Sequence, residues 1–121
     1  MMQKLFDLFD EIGLPYFRQG SLSDADYQPS FFTFWNIDTT NGSFYDNEAK
    51  RYFSYIQIGW YTDDANLIYS QLDEGGDFYK KAKAKGFVFE GRAKDANADK
   101  DNYFGRVCYL RIIHNIKGDK Q

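Results

Sequence analysis

The sequence predicts an α+β domain, a mainly antiparallel sheet with two helices packed on one face, in the order α-β-β-β-α-β-β over residues 1–121. Three observations predict it. Stretches with helical periodicity open the chain and recur past its midpoint. Segments rich in β-branched and aromatic residues fill the space between and after them. No repeat or linker divides the chain, whose 121 residues suit a single core.

Residues 2–12 place Met2, Leu5, Phe6, Phe9 and Ile12 at helical spacing, with Lys4, Asp7, Asp10 and Glu11 opposite. Gly13 suits the position just past the helix and Pro15 prevents its continuation. Tyr16 to Gln19 reads as a short strand, and 20–29 as a polar loop. Residues 30–37 have strand composition, with Phe31, Thr33, Trp35 and Ile37 on one face and Phe32 and Phe34 on the other. Asp38 to Ser43 is turn chemistry, and Asn41-Gly42 is a hairpin signal. A long strand over 48–62 puts Tyr52, Ser54, Ile56, Ile58 and Trp60 on one face. Its other face carries Phe53, Tyr55, Gln57 and Tyr61, with a gap at Gly59.

Asp63 or Asp64 suits the N-cap of the second helix. Ile68, Leu72, Gly75, Tyr79 and Ala82 stay in phase across Gly75-Gly76, which predicts one kinked helix with a close backbone approach at the glycines. Lys80, Lys81, Lys83 and Lys85 crowd its C-terminal end, where they favour the helix dipole. Gly86 ends it. A strand at 87–90, a polar loop at 93–102 and a long final strand at 103–114 complete the chain, with Cys108, Leu110 and Ile112 alternating against Val107, Tyr109, Arg111 and Ile113.

Composition narrows the function. Phe, Tyr and Trp make up 20% of the residues, and each ring offers about 150–250 Å² for burial, more than a core of this size hides with ease. The surplus points to a surface made to be covered by a partner. The net charge of −3 argues against a phosphate-backbone binder, so no direct nucleic-acid recognition is expected. The single Cys excludes an internal disulfide framework and a multi-Cys metal site. No apolar run approaches the ~20 residues that span a bilayer, so no membrane partner is expected.

Catalytic equipment is sparse. His114, the only histidine, stands at a strand end with no signalled nucleophile or orienting acid, so no catalytic residue is assigned. Asp95, Asn97, Asp99 and Asp101 resemble the start of a calcium loop, but Lys100 stands where the turn needs Gly and Arg106 where a closing acid belongs. No metal or cofactor is expected, and the chain reads as a non-enzyme. Lys85 to Phe89 resembles the aromatic strand of RNA-recognition domains, in a chain that opens with a helix and is acidic. An alternative reading is a carbohydrate-binding or other aromatic-surface binding module, with Trp35, Trp60 and Tyr61 as its platform.

Four stretches carry a resemblance. They are Leu5-Phe6-Asp7 through Ile12-Gly13-Leu14-Pro15; Ser30-Phe31-Phe32-Thr33-Phe34-Trp35-Asn36 followed by Phe44-Tyr45-Asp46-Asn47-Glu48; Ile56-Gln57-Ile58-Gly59-Trp60-Tyr61-Thr62-Asp63-Asp64; and Ala84-Lys85-Gly86-Phe87 leading to the final strand. Together they resemble the small tail-terminator or tail-completion (head–tail joining) proteins of long-tailed phages and prophages. The resemblance implies a structural virion protein of the tail, made in the cytoplasm of a bacterial host. Its subunits would form a closed ring, hexameric as a rule, that caps the tail tube and meets the head connector. The implied partners are further copies of the chain, the tail tube protein and head-connector proteins. The family has no catalytic residues to carry over. A ring needs two complementary patches per subunit. The subunit-interface candidates read from the sequence are Phe44, Tyr45, Tyr52, Phe53 and Trp60, with Trp35 assigned to the core; loops 20–29, 38–50 and 93–102 are placed to reach the tube or connector.

Overall fold

A computed structural model describes residues 3–20, 28–41, 51–98 and 102–115. It shows an α+β fold: α1 (Gln3–Ile12), β1 (Tyr16–Arg18), β2 (Ser30–Asn41), β3 (Arg51–Thr62), α2 (Asp77–Ala84), β4 (Val88–Phe89), β5 (Lys94–Ala96) and β6 (Phe104–Asn115). The six-stranded sheet runs β1-β2-β3-β6-β4, with β5 also on β6. Every pairing is antiparallel except β1 with β2.

Strand alternation gives the sheet two different faces. The helices cover one. Leu5, Leu8 and Phe9 of α1 and Phe78 and Ala82 of α2 pack with Phe32, Phe34, Ile56, Ile58, Trp60, Cys108 and Leu110 in one buried cluster. Phe9 and Phe78 both lie against Phe32, with ring centroids 5.1 and 5.4 Å away. Tyr16 extends this layer by stacking on Phe9 at 4.7 Å. Each large apolar side chain buried here contributes about 1.5–3 kcal/mol relative to exposure.

The expected faces of β2, β3 and β6 hold through the middle of the sheet, and the short first strand is present. Several details differ. β2 continues to Asn41, so Asp38 to Asn41 pair with Tyr55 to Tyr52 instead of turning. A bulge between Asn36 and Asp38 absorbs Ile37. Lys94 to Ala96, expected in a loop, form β5 against Val107 to Gly105.

The single kinked helix is replaced by a 3-10 turn at Ala65–Leu67, an irregular passage, and α2 beginning after Gly76. Asp64 does cap a helical turn, but the short one, through its side chain to Asn66 N at 2.9 Å. The indole N–H of Trp60 donates to the Leu67 carbonyl at 3.0 Å, and the same carbonyl accepts from Ser70 N at 3.0 Å in a tight turn. Gly75 has φ +88°, and a Cβ on Gly76 would lie 2.4 Å from the Gln71 carbonyl oxygen. The predicted close approach is therefore present, but as a break and not a kink.

Candidate functional site

The face of the sheet away from the helices has its own aromatic cluster. Phe31 and Tyr61 are cross-strand partners in the register of β2 and β3, and their rings stack at 5.5 Å. Phe17 meets Phe31 edge-on at 5.9 Å, and Tyr103 lies 6.0 Å from it. Tyr103 donates its hydroxyl hydrogen to the Gln28 carbonyl at 2.7 Å, tying the start of β6 to the chain entering β2. Burial, and next the charge of Asp63, hold the Tyr103 phenol above its ordinary pKa.

Glycine makes room for this layer. Tyr61 lies over Gly59 of its own strand and Gly105 of the neighbour. A Cβ on Gly59 would stand 2.4 Å from Thr33 Oγ1 and 2.7 Å from the Tyr61 ring. One on Gly105 would meet the same ring at 2.7 Å and the Ala96 carbonyl oxygen at 2.8 Å. The gap seen at Gly59 in the sequence is thus the seat of an aromatic ring. Beside the cluster opens a cavity of about 260 Å³, with Phe31 and Tyr61 in its walls and Gln19, Thr33 and Gln57 offering polar atoms.

A second depression, of about 540 Å³, lies at the end of the sheet where β6 begins, lined by Ile68, Tyr69, Ala96, Tyr103 and Phe104 among others. Tyr69 is 61% exposed, Phe104 45%, and neighbouring Leu67 40%. Arg106 lies against the ring of Tyr69. Its guanidinium makes a two-pronged pair with Asp73, with Nε 3.1 Å from Oδ2 and Nη2 closing on Oδ1. Nη1 reaches Asp95 Oδ1 at 2.8 Å, Nη2 reaches the Ala93 carbonyl at 3.1 Å, and the Tyr69 ring lies 4.9 Å from the charge. The hydrogen bond to Asp73 is the largest cause holding Arg106 above its ordinary pKa. This arrangement fastens the 65–76 passage to β5 and β6. It is structural, since Nε, Nη1 and Nη2 each donate to a protein acceptor.

The sequence candidates separate. Phe44 and Tyr45 lie outside the described residues. Tyr52 and Phe53 are described in their backbone alone, paired with Asn41 and Thr40 on one side and with His114 and Ile113 on the other. Trp60 is corrected: it is 1% exposed, packed 4.8 Å from Phe32, with its indole N–H satisfied by Leu67. Trp35 is corrected in the opposite direction, being 44% exposed on the face away from the helices. The Trp35, Trp60 and Tyr61 platform is not assembled, because Trp60 lies on the helix side and Tyr61 is stacked on Phe31. Phe87 is buried and Phe89 packs against the core, so the 85–89 segment offers no base platform.

Sequence reasoning missed Tyr69 and Phe104. Tyr69 was absorbed into a continuous helix. Phe104 starts a strand of alternating pattern, and only the exposed end of the sheet sets it apart. Among the described residues no group of His, Cys, Asp and Glu is placed to hold a metal ion, and no helix is long and apolar enough to cross a membrane. Cys108 is buried in the helix-side core, where desolvation, and next the charge of Asp73, push its thiol up to about 12. No protein-family model matches the chain, and no curated protein matches it.

Proposed function

We propose that the chain is a tail-terminator-like structural subunit of a phage or prophage, forming a ring that caps the tail tube and joins tail to head. One observation carries the reading beyond the resemblance: the helices cover one face of the sheet, and the other face has an aromatic cluster of its own. The second face holds the Phe17, Phe31, Tyr61 and Tyr103 cluster, with Trp35 exposed beyond it. Lengths point the same way. β2, β3 and β6 each have 12 residues, about 40 Å of strand. α1 has 10 and α2 has 8, about 15 and 12 Å of helix. The helix layer is too short to cover the strands from end to end, which leaves sheet surface for neighbours. Tyr52 and Phe53 fall on one end of those strands.

Purified protein is expected to form rings by light scattering and negative-stain microscopy, alone or once tail tubes are supplied. Disrupting the gene is expected to give tails of uncontrolled length, or tails that do not join heads. Tails of normal length that join heads efficiently would overturn the proposal. The alternative, an aromatic-surface binding module, draws on the cavity beside Tyr61, where amide side chains flank aromatic walls as in sites that take sugars. Specific signal on a glycan array, lost in Gln57→Ala, would favour it.

A further inference from the structure

We infer that the cavity beside Tyr61 is a site for one uncharged, hydroxyl-bearing six-membered ring, a pyranose, with the Thr33 hydroxyl as its buried hydrogen-bond partner. The site uses residues of a single chain, so it stands apart from the ring-forming reading.

Thr33 is only 6% exposed, and it lines the cavity. Among the described residues its hydroxyl has no hydrogen-bond partner. A hydroxyl so enclosed costs free energy unless a partner reaches it. Gly59 leaves the approach open. The position of its absent Cβ lies 2.4 Å from Thr33 Oγ1 and 3.2 Å from the Tyr61 hydroxyl oxygen. Two hydroxyl groups therefore converge over a residue with no side chain. The amides of Gln19, Gln57 and Asn97 line the same cavity. An amide side chain offers both donors and an acceptor, and a hydroxyl donates and accepts at one atom. Sugar hydroxyls, which also donate and accept, match such a wall.

Charge and shape narrow the ligand. Among the described residues no Asp, Glu, Lys, Arg or His lines the cavity. A charged ligand would lose its hydration there and gain no counter-charge. A cavity of about 150 Å³ takes one benzene ring. The 260 Å³ here suits one six-membered ring with its substituents. Phe31 and Tyr61 stack on each other, which leaves no slot between them for a flat base. A puckered ring needs aromatic surface on one side only. Trp35 adds such surface next to Gln57, its cross-strand partner, and is 44% exposed.

The test titrates the full chain with the methyl glycosides of glucose, galactose, mannose and N-acetylglucosamine. Glucuronate, glucosamine and adenosine serve as comparisons. Calorimetry measures affinity, and amide NMR shifts locate the site. At least one neutral glycoside is expected to bind saturably, with shifts at Thr33, Gln57 and Tyr61. The charged sugars and adenosine are expected to bind about tenfold more weakly or worse. Thr33→Val keeps the branched shape and removes the hydroxyl. It is expected to raise the dissociation constant about tenfold, because a sugar hydroxyl is left unpaired. Thr33→Ser, which keeps the hydroxyl, is expected to bind close to wild type. Circular dichroism checks each fold, and Gln57→Leu, at a half-buried position, tests the same wall if Thr33→Val does not fold. Saturable binding by none of the neutral glycosides overturns the inference. So does equal binding of the charged sugars or adenosine. Binding that Thr33→Val and Gln57→Leu both leave unchanged also overturns it, and would leave an aromatic-surface module with its site elsewhere. Tail length decides the ring reading separately.

Discussion

Arg106 shows how one side chain can determine the path of a distant segment. It stands on the helix side of β6 beyond the reach of both helices, with a side chain only 12% exposed. Its partners unite the 65–76 passage, β5 and the Tyr69 ring. Arg106→Ala leaves the Asp73 carboxylate partly buried and unpaired, at a cost of about 1.5–3 kcal/mol, read as a lower urea midpoint. Asp95→Ala removes a partner that is 85% exposed and is expected to cost less than about 1 kcal/mol. Equal losses would contradict the assigned hierarchy. Cys108 offers a pH test. Its folded pKa, about 12, lies above the ordinary 9.0, so the folded state holds the proton more tightly. The stability this contributes is whole below pH 9 and declines as the pH rises from 9 towards 12. Cys108→Ala is expected to flatten that decline in denaturation series at increasing pH. The tryptophans mark what a sequence conveys at this scale. Alternation places each tryptophan on a face of its own strand, but which face lies under the helices depends on Phe9, Phe78 and the Leu67 carbonyl, which come from other segments.

The start of α2 is an element whose cap is supplied from outside it. Gly76 occupies the N-cap and has no side chain to satisfy the first N–H groups. Nearby groups do so instead. Asp77 N donates to the Ser70 carbonyl at 2.9 Å, Phe78 N to Gln71 Oε1 at 3.1 Å, and Tyr79 N to the Gln71 carbonyl at 2.9 Å. Gln71 thus meets two donors and is buried in doing so. Gln71→Ala is expected to lower stability by about 1–2 kcal/mol, as for loss of an N-cap, while Gln71→Glu, which keeps the acceptor, costs less. Gly76→Ala is expected to be more damaging, because its Cβ would press on the backbone of Gln71 and that carbonyl is held by Tyr79. Thermal melts of the three variants give the order directly. The stripe read across Gly75-Gly76 holds at Leu72 and Ala82, which reach the core, but past the break it is Phe78 and not Tyr79 that is buried there. Periodicity records the inward stripe of each segment only approximately. It does not record that the tight turn from Leu67 to Ser70 and Gly76 interrupt the backbone, and so a turn, a passage and a short helix read as one long helix.

At the scale of the molecule, the two-layer architecture was legible because β2, β3 and β6 keep a period of two over many residues and α1 keeps its helical spacing. β5 was not, since Lys94-Asp95-Ala96 has no strand composition and is recruited by the open edge of β6 and the Arg106–Asp95 pair. The candidate site was legible only as an excess of rings, because exposure of Tyr69 and Phe104 depends on where the sheet ends. Ring formation has a thermodynamic consequence under the proposed function. A second copy that docks on the folded chain and not on the unfolded one stabilises the fold by mass action, about 2.7 kcal/mol when the partner is at a hundred times its dissociation constant. For a chain of 121 residues this raises the melting temperature by roughly 8–16 °C, since each kcal/mol is worth roughly 3–6 °C at this size. Scanning calorimetry over a hundredfold range of concentration is expected to show the wild-type transition climbing with concentration. A wild-type transition that stays fixed while rings are visible would mean that subunits meet too weakly to stabilise one another, and would place the stabilising contact with the tail tube instead of with the next subunit.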